Sequence, residues 1–554
     1  MRRWNGWGDD SIQYPLPPNA LGFLESLVGA GQSPPEITLD EAVTGLPGSR
    51  LHSQNHPLIR TEPVDRLRHA RGQSLPDWVA LRSGRIATFP DGVAYPAGSE
   101  QVGSLLAFAR ETGTRLIPYG GGTSVVGHIN PETGDHPVLT VNLRRMNQLL
   151  RLDSVSRMAT FGAGISGPEL EAQLRARGLT LGHFPQSFEY STLGGWVATR
   201  SSGQQSLGYG RIEALFAGGT LIAPSGTLVM PPFPASAAGP DLRQLVLGSE
   251  GRLGILTDVT VRISPLPELE EFHAIFFPSF AEGMTAVRRL VQERLPLSLL
   301  RLSTPMETKT TLALAGHERV IALLETMLSA RGAGGEKCML LCGFTGHRPA
   351  VHDARRLVID ISKEHNGIHV GRRFGEQWIH GRFRTPYLRN TLWDHGYAVD
   401  TLETATTWDN ITRTLEEIEN ALRDGLADED ERVHVFTHLS HVYPQGASIY
   451  TTYLFRIPPD PEETIRRWEL LKSAASRAIV ACGGTISHQH GVGRDHLPYL
   501  AAEKGDLGIA AIQDLARRFD PEGLMNPGVL VGKRWGGEHG GHHLERGQSP
   551  QGLE

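Results

Sequence analysis

The chain has 554 residues, 39% hydrophobic and 21% charged, with a formal net charge of −6. That length suits two or three packed domains of an ordinary soluble globular protein. The slightly acidic balance excludes the basic footprint of a nucleic-acid binder, and only three cysteines, Cys338, Cys342 and Cys482, exclude a disulfide framework.

On one strand Cys338 and Cys342 would face the same side about 13 Å apart, beyond disulfide reach. All three cysteines therefore read as buried small hydrophobes in a reducing compartment. No apolar run approaches the roughly 20 residues of a spanning helix. The opening MRRWNGWGDD lacks the apolar core of a signal peptide. These features predict a cytoplasmic protein.

Residues 1–90 are rich in proline and polar side chains, with short apolar pieces such as Leu21-Gly22-Phe23-Leu24. They predict an N-terminal segment of short helices packed on something larger. Phe89-Pro90-Asp91-Gly92 reads as a turn opening an ordered region that runs to Pro267. There Ser99 is placed to cap a helix whose Val102, Leu105, Leu106 and Ala109 fall at i, i+3, i+4 and i+7, with Gly113 at its end. A short strand, Leu116-Ile117-Pro118, then enters Tyr119-Gly120-Gly121-Gly122-Thr123-Ser124. Consecutive glycines expose backbone N–H groups with no Cβ to hold a ligand off. With the following hydroxyls, the turn reads either as a pyrophosphate-sized nest or as a flexible loop in a chain with 64 glycines.

Further strands are predicted at 138–143, 158–162, 215–222 and 255–263, and Ser166-Gly167-Pro168-Glu169 opens a helix with a capping-box pattern, closed by Gly178. Pro265-Leu266-Pro267 reads as a domain boundary. Beyond it come a strand at 269–277, an amphipathic helix at 280–293 and helices at 317–331 and 350–363. A helix at 407–424, strands at 433–438 and 448–455, and helices at 461–482 and 507–519 complete the pattern. The tail, 533–554, is rich in glycine and histidine and predicts disorder; its His539, His542 and His543 could bind metal only adventitiously.

Gly162-Ala163-Gly164-Ile165-Ser166-Gly167 fits the G-x-G-x-x-G dinucleotide pattern. A nicotinamide site also needs a strongly apolar preceding strand and an acid ending the next one. Here the next strand, Leu179-Thr180-Leu181, runs into Gly182-His183, so the pattern is rejected. More informative are Pro185-Gln186-Ser187-Phe188-Glu189-Tyr190-Ser191, Ala198-Thr199-Arg200-Ser201 and Glu250-Gly251-Arg252-Leu253-Gly254-Ile255-Leu256. Each could be a tight turn. Together with the first glycine stretch they suit a backbone laid along one large flat ligand.

PYGGGTSVVGH (118–128), PQSFEYSTLGGWVATRSSG (185–203) and GSEGRLGI (248–255) resemble the FAD-binding loops of the vanillyl-alcohol oxidase/p-cresol methylhydroxylase superfamily. Within it the chain is most similar to the alkylglycerone-phosphate synthase (alkyl-dihydroxyacetonephosphate synthase) family. That likeness extends from Arg3-Trp4-Asn5-Gly6-Trp7-Gly8 through Ser448-Ile449-Tyr450 and the 483–493 stretch to Asn526-Pro527.

The resemblance implies an α+β, two-lobed FAD-binding fold with an α/β cap domain. The FAD-binding domain would be 91–267, the cap 268–455, and 456–532 a helical segment returning to the FAD site. Pyrophosphate would lie on Gly120–Ser124, beside Pro118 and Tyr119, with the 185–191, 198–201 and 250–256 loops on ribityl, adenine and flavin edges. No known linkage motif is matched, so FAD is expected to be noncovalent. The implied reaction replaces the acyl group of acyl-dihydroxyacetone phosphate with a fatty alcohol through a flavin N5 adduct, giving an ether lipid without net redox change. The expected partners are a lipid-like phosphate or carboxylate substrate, a peripheral membrane contact and a second copy in a homodimer, without nucleic acid.

By the same resemblance Tyr450 handles a substrate proton, with His488 and His490 as neighbours, Arg389 holds the substrate phosphate and Arg301 is a second active arginine. A guanidinium fork would hold a carboxylate equally well. Gln489 stands where the synthases carry the middle of three histidines, and glutamine moves no proton at neutral pH. The competing reading is an FAD-linked oxidoreductase of a 2-hydroxy acid or alcohol. Those relatives show a His-x-Gly-Asp-Gly-Asn-Leu-His stretch whose side chains hold a divalent metal. Here His438 retains the first histidine while 441–447 replace the rest, so no metal site is expected.

Overall fold

The computed structural model describes residues 1–51, 56–315 and 318–532. The glycine- and histidine-rich tail and His317, the first residue of a predicted helix, lie outside the described residues. The N-terminal segment holds short helices at Pro18–Val28, Leu39–Thr44, Pro63–Arg68 and Leu75–Ser83, with the first strand of the first sheet, Ile59–Arg60, between the second and third.

That sheet is four-stranded, in the order Ile59–Arg60, Gly92–Ala94, Val138–Asn142, Arg115–Tyr119, and its last two pairings are parallel. Arg115–Tyr119 is the edge strand of this sheet, a position where Pro118 forfeits no ladder bond. The helix feeding it, Ser99–Thr112, buries Val102, Leu105, Leu106 and Ala109 as its spacing predicts, and Gly113 closes it at a φ of 69°. Its N-cap is Gly98 rather than Ser99, and no side chain bonds there.

The second sheet is five-stranded and antiparallel throughout: Leu149–Asp153, Met158–Gly162, Ile255–Arg262, Phe216–Ala223, Gly226–Met230. Antiparallel neighbours on both sides of Met158–Gly162 rule out the parallel return of a dinucleotide turn. The glycines after it serve close packing, since a Cβ on Gly164 would lie 1.7 Å from the Leu143 carbonyl oxygen.

The third sheet has seven strands in the order Ile368–His369, Leu269–Phe277, Cys338–Gly346, Leu299–Ser303, His434–Tyr443, Gly446–Arg456, Tyr397–Thr407. Strand alternation gives it two unlike faces. Leu300, Leu302, Val435, Leu439, Ile449, Tyr453 and Phe455 point into a core shared with helices Phe280–Gln292, Arg348–Glu364, Ile411–Asp424 and Pro461–Ala481. Their neighbours Arg301, Ser303, Phe436, His438, Tyr450 and Thr452 point the other way, into a cavity. Cys338 and Cys342 sit on the core face, buried and unbridged.

After Pro461–Ala481 the chain turns back toward the first lobe. A helix expected from 507 begins at Leu500 and is broken at Gly505 before ending at Phe519. Leu116 then donates to the Leu524 carbonyl and accepts from the Asn526 amide, so the C-terminal segment pairs with the strand that leads into the glycines. Among the described residues no helix is long and apolar enough to cross a membrane.

Candidate active site

The open face of the seven-stranded sheet, the glycine-rich loops of the first lobe and the N-terminal segment enclose one continuous cavity of about 670 Å³. Its lining is mixed, with Arg301, Arg389, His438 and His490 among the polar side chains and Ala20, Phe23, Leu24, Ala313, Leu314 and Leu454 among the apolar ones.

Gly120, Gly121 and Gly122 line one wall with Pro118, Tyr119, Thr123 and Ser124. A Cβ on Gly120 would sit 2.2 Å from Thr192 Oγ1, and one on Gly121 would sit 1.9 Å from the Tyr190 carbonyl oxygen. Side chains are therefore excluded by packing behind the loop, and what faces the cavity is main chain. The amides of Gly121, Gly122, Thr123 and Ser124 donate to no atom among the described residues. Buried amides are almost always paired, so this row fits the oxygens of a diphosphate. Arg2 bonds the Gly121 carbonyl from the outside, and Ser124 Oγ lies 2.8 Å from His128 Nδ1.

Pro185, Gln186, Ser187, Ser191, Ala198, Thr199, Ser201, Glu250, Gly251, Gly254 and Leu256 continue this wall. Glu250 accepts from the amides of Val492 and Gly493 at 2.6 and 2.9 Å, tying the C-terminal segment to the site.

Other residues of the predicted loops turn their side chains away, for identifiable reasons. Phe188 stacks on Phe383 at 4.8 Å. Glu189 and Tyr190 border a separate recess with Tyr95 and Arg144. Arg200 bonds Gln244, Arg252 is buried and bonds the Met525 carbonyl, and Leu253 and Ile255 are core.

Arg389 lies in the helix Thr385–Asp394 with its guanidinium 4.4 Å above the Trp78 ring. One terminal nitrogen donates to the Gln73 carbonyl; Nε and the other terminal nitrogen are sealed from solvent with no partner. Burial lowers its pKa to about 10, so it stays cationic at neutral pH. An unpaired buried cation at a cavity wall is a site for an anion. Arg382, which the sequence reading missed, also borders the cavity, held over Phe184 and Phe383 and bonded to Gln205.

Tyr450 occupies the middle of the open sheet face, directly opposite His438 on one strand and Glu403 on the other. Its ring stacks on His438 at 5.1 Å and meets His490 edge-on at 5.8 Å. Burial raises the phenol, and Glu403 and Asp400 add to that. Tyr450 is therefore a neutral hydroxyl near neutral pH.

The two predicted histidines part company. His490 lines the cavity with Gln489. His488 lies outside it, where Nε2 meets Arg211 at 2.6 Å and the Tyr443 hydroxyl at 2.7 Å. Burial, with His441 and Arg211 nearby, drives His488 well below its ordinary value, and both donors need its lone pair. His488 is thus a neutral, doubly engaged imidazole that does not line the cavity.

Glu403 holds the loop that carries His490. Fully buried, it accepts from the amides of Gln489 and His490, both at 2.6 Å, and its Oε1 is 3.7 Å from His490 Nδ1. Burial lowers His490 despite that carboxylate. Arg301 is bonded to Glu307, which also binds His438. Among the described residues no group of three or more His, Cys, Asp or Glu is placed to hold a metal ion.

Two family models match the chain: an FAD binding domain over residues 90–230 and the C-terminal domain of FAD linked oxidases over 266–530. The first spans both the Gly120–Ser124 loop and the 185–201 turns. The p-cresol methylhydroxylase structure superposes with a TM-score of 0.64 at 14% identity, over 90% of this chain and 98% of that one, a likeness of fold. The chain is thus an FAD-dependent enzyme of the FAD-linked oxidase architecture. It is similar along nearly its whole length to the alkyldihydroxyacetonephosphate synthase of Dictyostelium discoideum, 29% identical over 96% of this chain and 93% of that protein. A solved alkyldihydroxyacetonephosphate synthase matches 95% of this chain and 98% of its own, at 26% identity and a TM-score of 0.81.

Proposed function

We propose that the chain exchanges the acyl group of acyl-dihydroxyacetone phosphate for a long-chain alcohol, giving the alkyl-dihydroxyacetone phosphate for which its relatives are named. The observation that supports this reading best is that Arg389, cationic and with Nε and one terminal nitrogen unbonded, shares one cavity with the apolar side chains of Phe23, Leu24, Leu314 and Leu454. A phosphate headgroup and a fatty chain need those two kinds of surface.

The free amides of Gly121 to Ser124 would hold the diphosphate of FAD, which when bound would supply a nucleophilic ring nitrogen. Arg389 fixes the phosphate through its unbonded Nε and terminal nitrogen. Tyr450 presents its hydroxyl from the sheet face, and His490, on the Glu403-held loop, supplies an imidazole beside it. Gln489 orients without exchanging a proton.

A peripheral membrane contact belongs to the same reading. The cavity lining includes Leu314, itself partly exposed, and the helix Glu318–Ala330 leaves Val320 and Leu323 in solvent, Leu323 at 72%. Exposed apolar side chains of this kind suit contact with a lipid surface.

The test is the purified yellow holoprotein given acyl-dihydroxyacetone phosphate and hexadecanol, beside a panel of 2-hydroxy acids under anaerobic conditions. Release of fatty acid with capture of the alcohol, and no bleaching by the acids, is expected. Bleaching by a hydroxy acid without exchange would overturn the reading in favour of an oxidoreductase.

A further inference from the structure

The site contains a carboxylate–imidazole pair that the catalytic assignments above leave without a role. Thr304 caps the helix Pro305–Leu314 and accepts from the Glu307 amide, which sets Glu307 in the first turn. Its carboxylate is buried between Arg301, bonded to Oε1, and His438, whose Nδ1 lies 2.8 Å from Oε2. Burial opposes ionisation of Glu307, yet His438 and Arg301 outweigh it and hold the acid below its ordinary range.

An ionised carboxylate only accepts, so His438 Nδ1 must carry the hydrogen. The 3.4 Å approach of Arg301 to the same nitrogen is then a contact between two donors that share one acceptor, Glu307. With Nδ1 protonated, the lone pair lies on Nε2. That nitrogen bonds no described atom, and His438 borders the cavity while its ring stacks on Tyr450. The orientation is the one that a carboxylate imposes on a histidine base. Tyr450 thus stands between two imidazoles, His438 across its face and His490 at its edge.

We propose that His438, oriented by Glu307, is the base that accepts the hydroxyl proton of the incoming alcohol. This rests on the exchange reading given above. The departing carboxylate leaves with the electron pair of its bond to carbon. An oxygen pair of the alcohol forms the new carbon–oxygen bond, and its O–H proton passes to Nε2 and from there to the released acid or solvent. Glu307 acts through His438 and is a positioning residue. His438 replaces His488 as the second imidazole of the site.

Two measurements test this. In 15N-histidine-labelled holoenzyme, His438, identified by its absence from His438→Gln, is expected to show a protonated Nδ1 and an unprotonated Nε2 at neutral pH. A signal with the proton on Nε2 would overturn the assignment without any assay. His438→Gln retains a donor toward Glu307 and is expected to bind FAD normally and to release fatty acid in a single turnover without alcohol at about the wild-type rate. Alcohol capture should fall roughly 10²- to 10³-fold, with KM for the acyl substrate within about two-fold. Equal slowing of both half-reactions, or unchanged capture, overturns the proposal alone. A wild-type enzyme that exchanges nothing overturns the exchange reading and this step together.

Discussion

Glu403 and Tyr450 are direct partners across adjacent antiparallel strands, and the same Glu403 carboxylate accepts the amides of Gln489 and His490. One buried acid thus sets the distance between the phenol and the imidazole loop. Removing it as Glu403→Ala strands two amides and is expected to lower stability by about 2–4 kcal/mol, read as a shifted urea midpoint. Glu403→Gln keeps one acceptor oxygen, and should fold while losing roughly ten-fold or more in turnover. Full activity in Glu403→Gln would show that its charge has no part in placing His490.

Arg389→Ala should raise KM for the phosphate-bearing substrate by roughly 10- to 100-fold, with a smaller change in kcat, since the lost contact is charge-assisted. Arg389→Lys should restore little of it, because a lysine offers no planar fork to lie on Trp78 while reaching Gln73. Steady-state kinetics of both variants decide the point.

Gly121→Ala places a Cβ 1.9 Å from the Tyr190 carbonyl oxygen, where only backbone could yield. The loop would have to leave Tyr190, and the variant should purify colourless, with FAD absorbance near 450 nm lost and at most weak rebinding of added cofactor. Gly98→Ala, a position with no heavy atom within 4 Å of the added Cβ, serves as the control and should stay yellow.

Asp495 predicts a pH dependence of stability. Burial, reinforced by Asp77 and Asp400 and opposed by Lys472 and His128, raises its carboxyl from 3.8 to about 7, and Oδ2 is buried without a partner. A folded-state value above the unfolded one means the contribution is present below about pH 4 and lost as pH rises through about 7. Asp495→Asn removes the group that must ionise. It should raise the unfolding midpoint at pH 8, by on the order of 3 kcal/mol, and leave it unchanged at pH 4. A gain of equal size at both values would contradict the buried acid as its source.

The glycine stretch, the 185–201 turns and most regular elements were legible because each rests on local chemistry: consecutive glycines, capping residues, one period of alternation. The strand Tyr397–Thr407 was not, since Asp400 and Glu403 are buried charges that break the apolar pattern a strand is read from. Glu307 was missed because the helix Pro305–Leu314 that carries it was not read from the sequence. Its two partners lie on different strands. His488 and His490 look equivalent as neighbours in one motif, yet only the three-dimensional turn around Glu403 decides which of them meets the cavity. Motif resemblance located the neighbourhood and could not choose between them.

Trp7 and Asn390 exchange backbone–side-chain bonds across 383 positions of sequence, and Leu116 is clasped by Leu524 and Asn526. During synthesis the Gly120–Ser124 loop therefore leaves the ribosome long before either clasp exists. Capture of the cofactor proposed for it is expected to follow completion of the polypeptide rather than folding of that segment alone.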